Sequence, residues 1–164
     1  LPQFIAPKNV DLFTKHHILT KDEIYSRYEI LLENYVKTII IEARTMAEML
    51  TKDFLPSVSA YAGEISKNAA SAKTFLPCAD TSAEEALVKS LTDSYVSITE
   101  EIARLKESIQ DAASMEDMQK AADFCHCELL SKMETLRLAA NSAEELIPDS
   151  MLPYPTYDQL LFSL

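Results

Sequence analysis

The chain has 164 residues, 48% of them hydrophobic, and carries 26 Asp and Glu against 15 Lys and Arg for a formal net charge of −11. That length supports one domain with a real core, and the acidic balance opposes nucleic acid and anionic membranes, where affinity comes from cations that displace phosphate counterions. A single glycine, Gly63, argues against tight hairpins and phosphate-cradling loops, which depend on residues that tolerate positive φ.

Residues 1–19 hold Pro2 and Pro7 and then a short amphipathic piece with Val10, Phe13 and Ile18 on its apolar side, and read as a lead-in. Thr20 and Glu23 form a capping box, in which each side chain satisfies a backbone donor left free at a helix start. The first long helix begins there. Thr20 to Leu55 contains no Gly or Pro. Ile24, Tyr28, Leu31, Tyr35, Ile39, Ala43, Met46 and Leu50 recur at steps of three and four as one stripe, widened by Val36, Ile40 and Ile41. Pro56 lacks an amide hydrogen and disfavours helix at Leu55, so a kink or break is expected there. Val58, Tyr61, Ile65 and Ala69 then resume the stripe.

Thr74 to Asp80, with Pro77, reads as a loop, and Asp80, Thr81 or Ser82 caps the next helix. Its stripe of Val88, Leu91, Tyr95, Ile98, Ile102, Leu105, Ile109 and Ala112 is heptad-like. The flanking Thr92, Ser94, Thr99, Glu101, Lys106 and Ser108 are mostly uncharged, which favours packing within the chain over a partner-selecting zipper. Ser114 with Asp117 opens a third helix whose stripe is Met115, Met118, Ala122, Cys125, Leu129, Met133, Leu136 and Ala140, and Pro148 ends it. Asp149 to Pro155 is extended. Thr156 and Gln159 then cap a last turn bearing Tyr157, Leu160 and Leu161, which is expected to dock back on the helices.

Opposite the stripes lie acid-first pairs at i,i+4: Glu23 with Arg27, Glu33 with Lys37, Glu48 with Lys52, Glu85 with Lys89, Glu100 with Arg104, Glu116 with Lys120 and Glu128 with Lys132. They mark the water-facing sides of helices. The expected fold is therefore all-α: an elongated antiparallel three-helix bundle, or four helices with a kink at Pro56. Residues 1–164 form a single domain, with the lead-in at 1–19, the bundle at 20–147 and a docked, proline-broken tail at 148–164.

Candidate chemistry is sparse. Cys125-His126-Cys127 has the residue types of a metal site, but residues two apart on a helix point to opposite sides, so Cys125 is expected in the core and Cys127 on the surface. His16 and His17 diverge similarly. Asp123 and His126 have an acid-x-x-His spacing, one quarter of a di-iron ligand set, with no second copy to complete it. Cys78 has no His nearby in sequence to activate it. Glu42 reads as a solvated acid, and Tyr28, Tyr35, Tyr61 and Tyr95 as core aromatics. No catalytic, cofactor-binding or metal-ligating residue is assigned. No apolar run approaches the ~20 residues needed to span a bilayer, and no basic-then-apolar leader precedes Leu1. The odd, unpatterned cysteines fit a reducing, cytoplasmic setting. A start at Leu rather than Met suggests a piece of something longer.

Three stretches carry a resemblance. They are RYEILLENYVKTIIIEA at Arg27 to Ala43, LPQFIAPKNVDLF at Leu1 to Phe13, and PYPTYDQLLF at Pro153 to Phe162. Together they resemble the C-terminal helical domain of type III glutamine synthetases. The resemblance implies a parent enzyme that makes glutamine from glutamate, ammonia and ATP with Mg or Mn, acting as a large homo-oligomer. It implies that this piece is inactive alone and contacts the catalytic domains and neighbouring subunits. The alternative is a free-standing helical interaction module.

Overall fold

In the computed structural model the structure describes residues 2–162, without the side chains of Tyr157 and Asp158. Leu1, Ser163 and Leu164, and the expected role of the Tyr157 side chain in the final turn, fall outside the described residues. All regular elements among the described residues are helical. In chain order the α-helices are α1 (Pro7–Lys15), α2 (Lys21–Met49), α3 (Leu55–Phe75), α4 (Ser82–Ser114), α5 (Met118–Phe124), α6 (Leu130–Glu144) and α7 (Tyr157–Phe162). The chain divides into two compact units, Leu1–Arg44 with Glu107–Ser131, and Thr45–Lys106 with Lys132–Leu164.

In the first unit a 3-10 turn at Pro2–Ile5 leads into α1, which has Pro7 in its first turn, where the missing N–H costs nothing. Helix α1 stops in a Schellman motif: His17 N–H donates to the Thr14 carbonyl at 3.1 Å and Ile18 N–H to the Phe13 carbonyl at 3.0 Å. The motif needs a left-handed residue, and His17 supplies it at φ 53°. Val10 is buried, but Ile18 is exposed, so the apolar side of the lead-in ends before it.

The capping box at the start of α2 forms as expected. Thr20 N–H donates to the Glu23 carboxylate at 2.8 Å and Glu23 N–H to the Thr20 hydroxyl at 3.3 Å. The buried face of α2 in this unit is Ile24, Tyr28, Leu32, Val36, Ile39, Ile40 and Ala43. This corrects the expected stripe: Leu31 and Ile41 are exposed and Leu32 takes the inward position. The inward residues advance by fours from Ile24 to Ile40, and that register swings Leu31 outward. Helix α5 begins with Asp117, whose carboxylate accepts from Gln119 N–H at 3.0 Å and Lys120 N–H at 3.2 Å. Ser114 does not open this helix; it is the last residue of α4 and its hydroxyl donates to the Asp111 carbonyl. A π-helical turn at Cys125–Leu129 joins α5 to α6 and buries both Cys125 and Leu129.

In the second unit the break expected at Pro56 is absent. A π-helical turn at Leu50–Phe54 precedes α3, with Leu55 N–H bonded to the Leu50 carbonyl, and Pro56 sits in the first turn of α3. Proline has no hydrogen to give and its ring crowds the carbonyl four residues back. The wider turn absorbs the mismatch without ending the helix. Gly63 lies inside α3 with no positive φ.

The loop after Phe75 closes on α4, where Asp80 accepts from Ser82 N–H at 3.0 Å and buried Thr81 donates its hydroxyl to Glu85 at 2.8 Å. Glu85 pairs with Lys73 at 2.5 Å, across the loop. Ala47, Leu50, Phe54, Leu55, Val58, Leu91, Ile98, Ile102, Leu105, Leu136, Ala140 and Ile147 form the core here. Tyr95, expected inward, is exposed. Of the i,i+4 pairs, Glu33 with Lys37 (2.6 Å), Glu48 with Lys52 and Glu100 with Arg104 (3.7 Å) form.

Candidate interaction surfaces

Within the first unit, a groove of about 710 Å³ is walled mainly by apolar atoms and lined by Phe4, Asp22, Glu23, Ser26, Arg27, Ile30 and Leu31. Its floor exists because the α2 register turns Ile30 (52% exposed) and Leu31 (42%) away from the core. Its wall exists because the N-terminal turn is pinned. Asn9 donates to the Gln3 carbonyl at 2.5 Å, and the Phe4 ring packs on Phe13 with centroids 6.0 Å apart. The capping hydrogen bonds from Thr20 hold the Glu23 carboxyl below its usual range, so it stays charged at the groove.

A second depression in this unit, about 440 Å³, is lined by Pro2, Leu32, Tyr35, Gln119, Ala122, Asp123 and His126. The Tyr28 hydroxyl donates to the Gln119 side-chain carbonyl, and the Gln119 amide donates to Asp123 at 2.9 Å. This orders the Asp123 carboxylate beside His126. Burial, and then the nearby Cys125, Cys127 and Glu42, push the Tyr35 hydroxyl above its ordinary value. It can therefore donate a hydrogen bond at any physiological pH.

In the second unit Tyr154 fastens the tail. The Tyr154 hydroxyl lies 3.0 Å from the Met49 carbonyl and 3.0 Å from the Asp53 carboxylate. Met49 immediately precedes the π-helical turn and Asp53 lies within it. Beyond Tyr154 the Thr156–Gln159 capping box forms, with Thr156 N–H to Gln159 at 3.1 Å and Gln159 N–H to Thr156 at 3.4 Å. Leu160, Leu161 and Phe162 are nevertheless exposed. Tyr154 is the tail residue whose side chain reaches α2 and the π-helical turn, and Leu161 and Phe162 keep most of their surface exposed.

The residues singled out by sequence separate as follows. Cys125 is buried and its thiol is pushed up by burial, whereas Cys127 and Cys78 are exposed. Asp123 and His126 share the second depression. Glu42 is exposed, and His16 and His17 end α1. Among the described residues no three His, Cys, Asp or Glu side chains converge where a metal ion could be held. Gly63, the only glycine, lies within a helix. Sequence reasoning missed the outward turn of Ile30 and Leu31 and the anchoring by Tyr154. No helix among the described residues is long and apolar enough to cross a membrane.

Residues 1–73 match the family described as glutamine synthetase C-terminal domain. The chain is 42% identical over 164 residues to a glutamine synthetase of Butyrivibrio fibrisolvens, an alignment covering 100% of this chain and 23% of that protein. It is 25% identical over 161 residues to a type-3 glutamine synthetase of Dictyostelium discoideum, covering 96% of this chain and 22% of that protein. The matched region is the C-terminal part of each. The chain spans less than a quarter of the length of these curated relatives.

Proposed function

We propose that the chain, whose residues 1–73 match the family described as glutamine synthetase C-terminal domain, is the non-catalytic helical C-terminal domain of a type III glutamine synthetase. The parent forms glutamine from glutamate, ammonia and ATP with Mg or Mn, in the cytoplasm, as a homo-oligomer. Its nucleotide, metal and catalytic residues lie upstream of Leu1. This part braces the catalytic domains and contributes contacts between domains or subunits. Each of its three helical arms, α2 with α3, α4, and α5 with α6, buries an apolar stripe.

The observation that carries the proposal is the 42% identity that extends over all 164 residues and falls within 23% of the relative. A helical fold alone would support many functions. The placement of the residues supports a bracing role: the inward stripes are buried, while apolar side chains at Ile30, Leu31, Leu161 and Phe162 are exposed.

Two measurements test it. The reading frame upstream of Leu1 should encode several hundred residues with glutamine synthetase motifs; a start codon near Leu1 would favour the free-standing interaction module instead. Glutamine formation should be absent from the isolated chain and present in the parent. Turnover by the chain alone would overturn the proposal.

A further inference from the structure

We infer that the Phe4–Ile30–Leu31 groove is the seat of the polypeptide that immediately precedes Leu1 in the parent, which docks there in the same subunit through apolar side chains. The inference rests on the proposed parentage and adds to it a contact site and an occupant.

Three observations point to that occupant. First, Ile30 and Leu31 are adjacent, about half exposed, and flanked by the acidic and basic side chains of Glu23 and Arg27. An apolar strip with a polar border offers contact area to apolar side chains. It is an open groove of about 710 Å³, accessible to a segment laid along it.

Second, the entry of the chain is fixed beside the groove. Phe4 is part of the wall, Asn9 clamps the Gln3 carbonyl, and Phe4 leans on Phe13. A segment of ten residues before Leu1 would reach about 30 Å when extended, at roughly 3.3 Å per residue. The groove is therefore within easy reach.

Third, more than three quarters of each curated relative lies outside the matched region. A covalently tethered segment meets the groove at a high effective concentration, so weak apolar contacts suffice where a free partner would need many more.

The test uses the full-length parent with Leu31→p-benzoylphenylalanine, irradiated and mapped by peptide mass spectrometry, with isotopically light and heavy subunits mixed. The expected crosslink joins residue 31 to a peptide shortly before Leu1 in a subunit of the same isotopic label. A crosslink confined to mixed-label pairs, one confined to residues 1–164, or none at all overturns the inference.

In a second arm, Ile30→Glu with Leu31→Glu should raise protease cleavage just before Leu1 by roughly tenfold or more, the factor expected from unseating aliphatic side chains. Helix content should be unchanged, since both residues face away from the core. Unchanged cleavage in a well-folded variant also overturns the inference. These failures differ from failure of the proposed function, which would appear as a parent lacking upstream glutamine synthetase segments.

Discussion

The Tyr154 hydroxyl stands 3.0 Å from the carboxylate of Asp53, a residue 101 positions earlier, and equally close to the Met49 carbonyl. One side chain thereby ties the tail to a π-helical turn that the sequence forms just ahead of Pro56. Burial first, and then the hydrogen bond to and charge of Asp53, push the tyrosine up to about 12 from an ordinary value of 10.0.

The sign of the resulting pH dependence follows. A folded-state value above the unfolded one means that the native state keeps its proton where the unfolded chain has lost it. The stabilisation is whole below about pH 10 and is lost as pH rises through about 12. Tyr154→Phe should lower stability by about 1 kcal/mol at neutral pH. Between pH 10 and 12 it should flatten the fall in melting temperature relative to the unchanged protein. Thermal denaturation monitored by circular dichroism across that range checks both.

The register of α2 predicts a contrast between neighbours. Leu32 is 3% exposed and Leu31 is 42% exposed. Leu32→Ala should cost roughly 2–5 kcal/mol through lost burial and a residual cavity. Leu31→Ala in the isolated chain should stay within about 1 kcal/mol. Urea titrations of the two variants give the comparison.

This pair also shows what the sequence could and could not disclose. The caps at Thr20 and Thr156 were legible because each is a short-range exchange between a side chain and a backbone three residues away, whereas the sequence places the opening of the third helix at Ser114 and Asp117 is the residue that caps it. The α4 stripe from Ile98 to Ala112 was legible because its apolar residues are isolated by polar ones. Ile30, Leu31 and Leu32 are consecutive and apolar, so periodicity cannot choose the inward one; the packing of Ile24 and Tyr28 does. Pro56 signalled a disturbance of the helix but not its form. Whether a proline ends a helix or is absorbed by a widened turn depends on the packing around Leu50 and Phe54. The groove was invisible for the same reason as the register, and the Tyr154 anchor because it spans most of the chain.

Two backbone substitutions should stabilise. His17 holds a left-handed conformation at φ 53° to complete the Schellman motif, a conformation that costs a residue with a Cβ roughly 1–2 kcal/mol. His17→Gly should recover about 1 kcal/mol of this. Gly63 lies within α3, and a Cβ there would meet nothing within 4 Å, so Gly63→Ala should add roughly 0.5–1 kcal/mol through helix propensity and reduced freedom of the unfolded chain. The sites are in different units and share no partner, so the effects should add in the double variant. Differential scanning calorimetry of both singles and the double reads the result.

The cysteines should separate by reactivity. Only the thiolate attacks, so a thiol that is buried and pushed upward in pKa is doubly protected. Cys125 has both properties: it is fully buried at the start of the π-helical turn, and burial raises its thiol. Cys78 and Cys127 are exposed. With an aromatic disulfide reagent at pH 8, two thiols per chain should react promptly and the third only at the rate of unfolding. Cys125→Ser places a hydroxyl where the surroundings suit sulfur, and should destabilise while leaving the two fast thiols unchanged. Cys127→Ser should remove one fast thiol with little effect on stability. Prompt reaction of all three thiols in the native state would place Cys125 in an accessible position and contradict the inward stripe of the third helical arm.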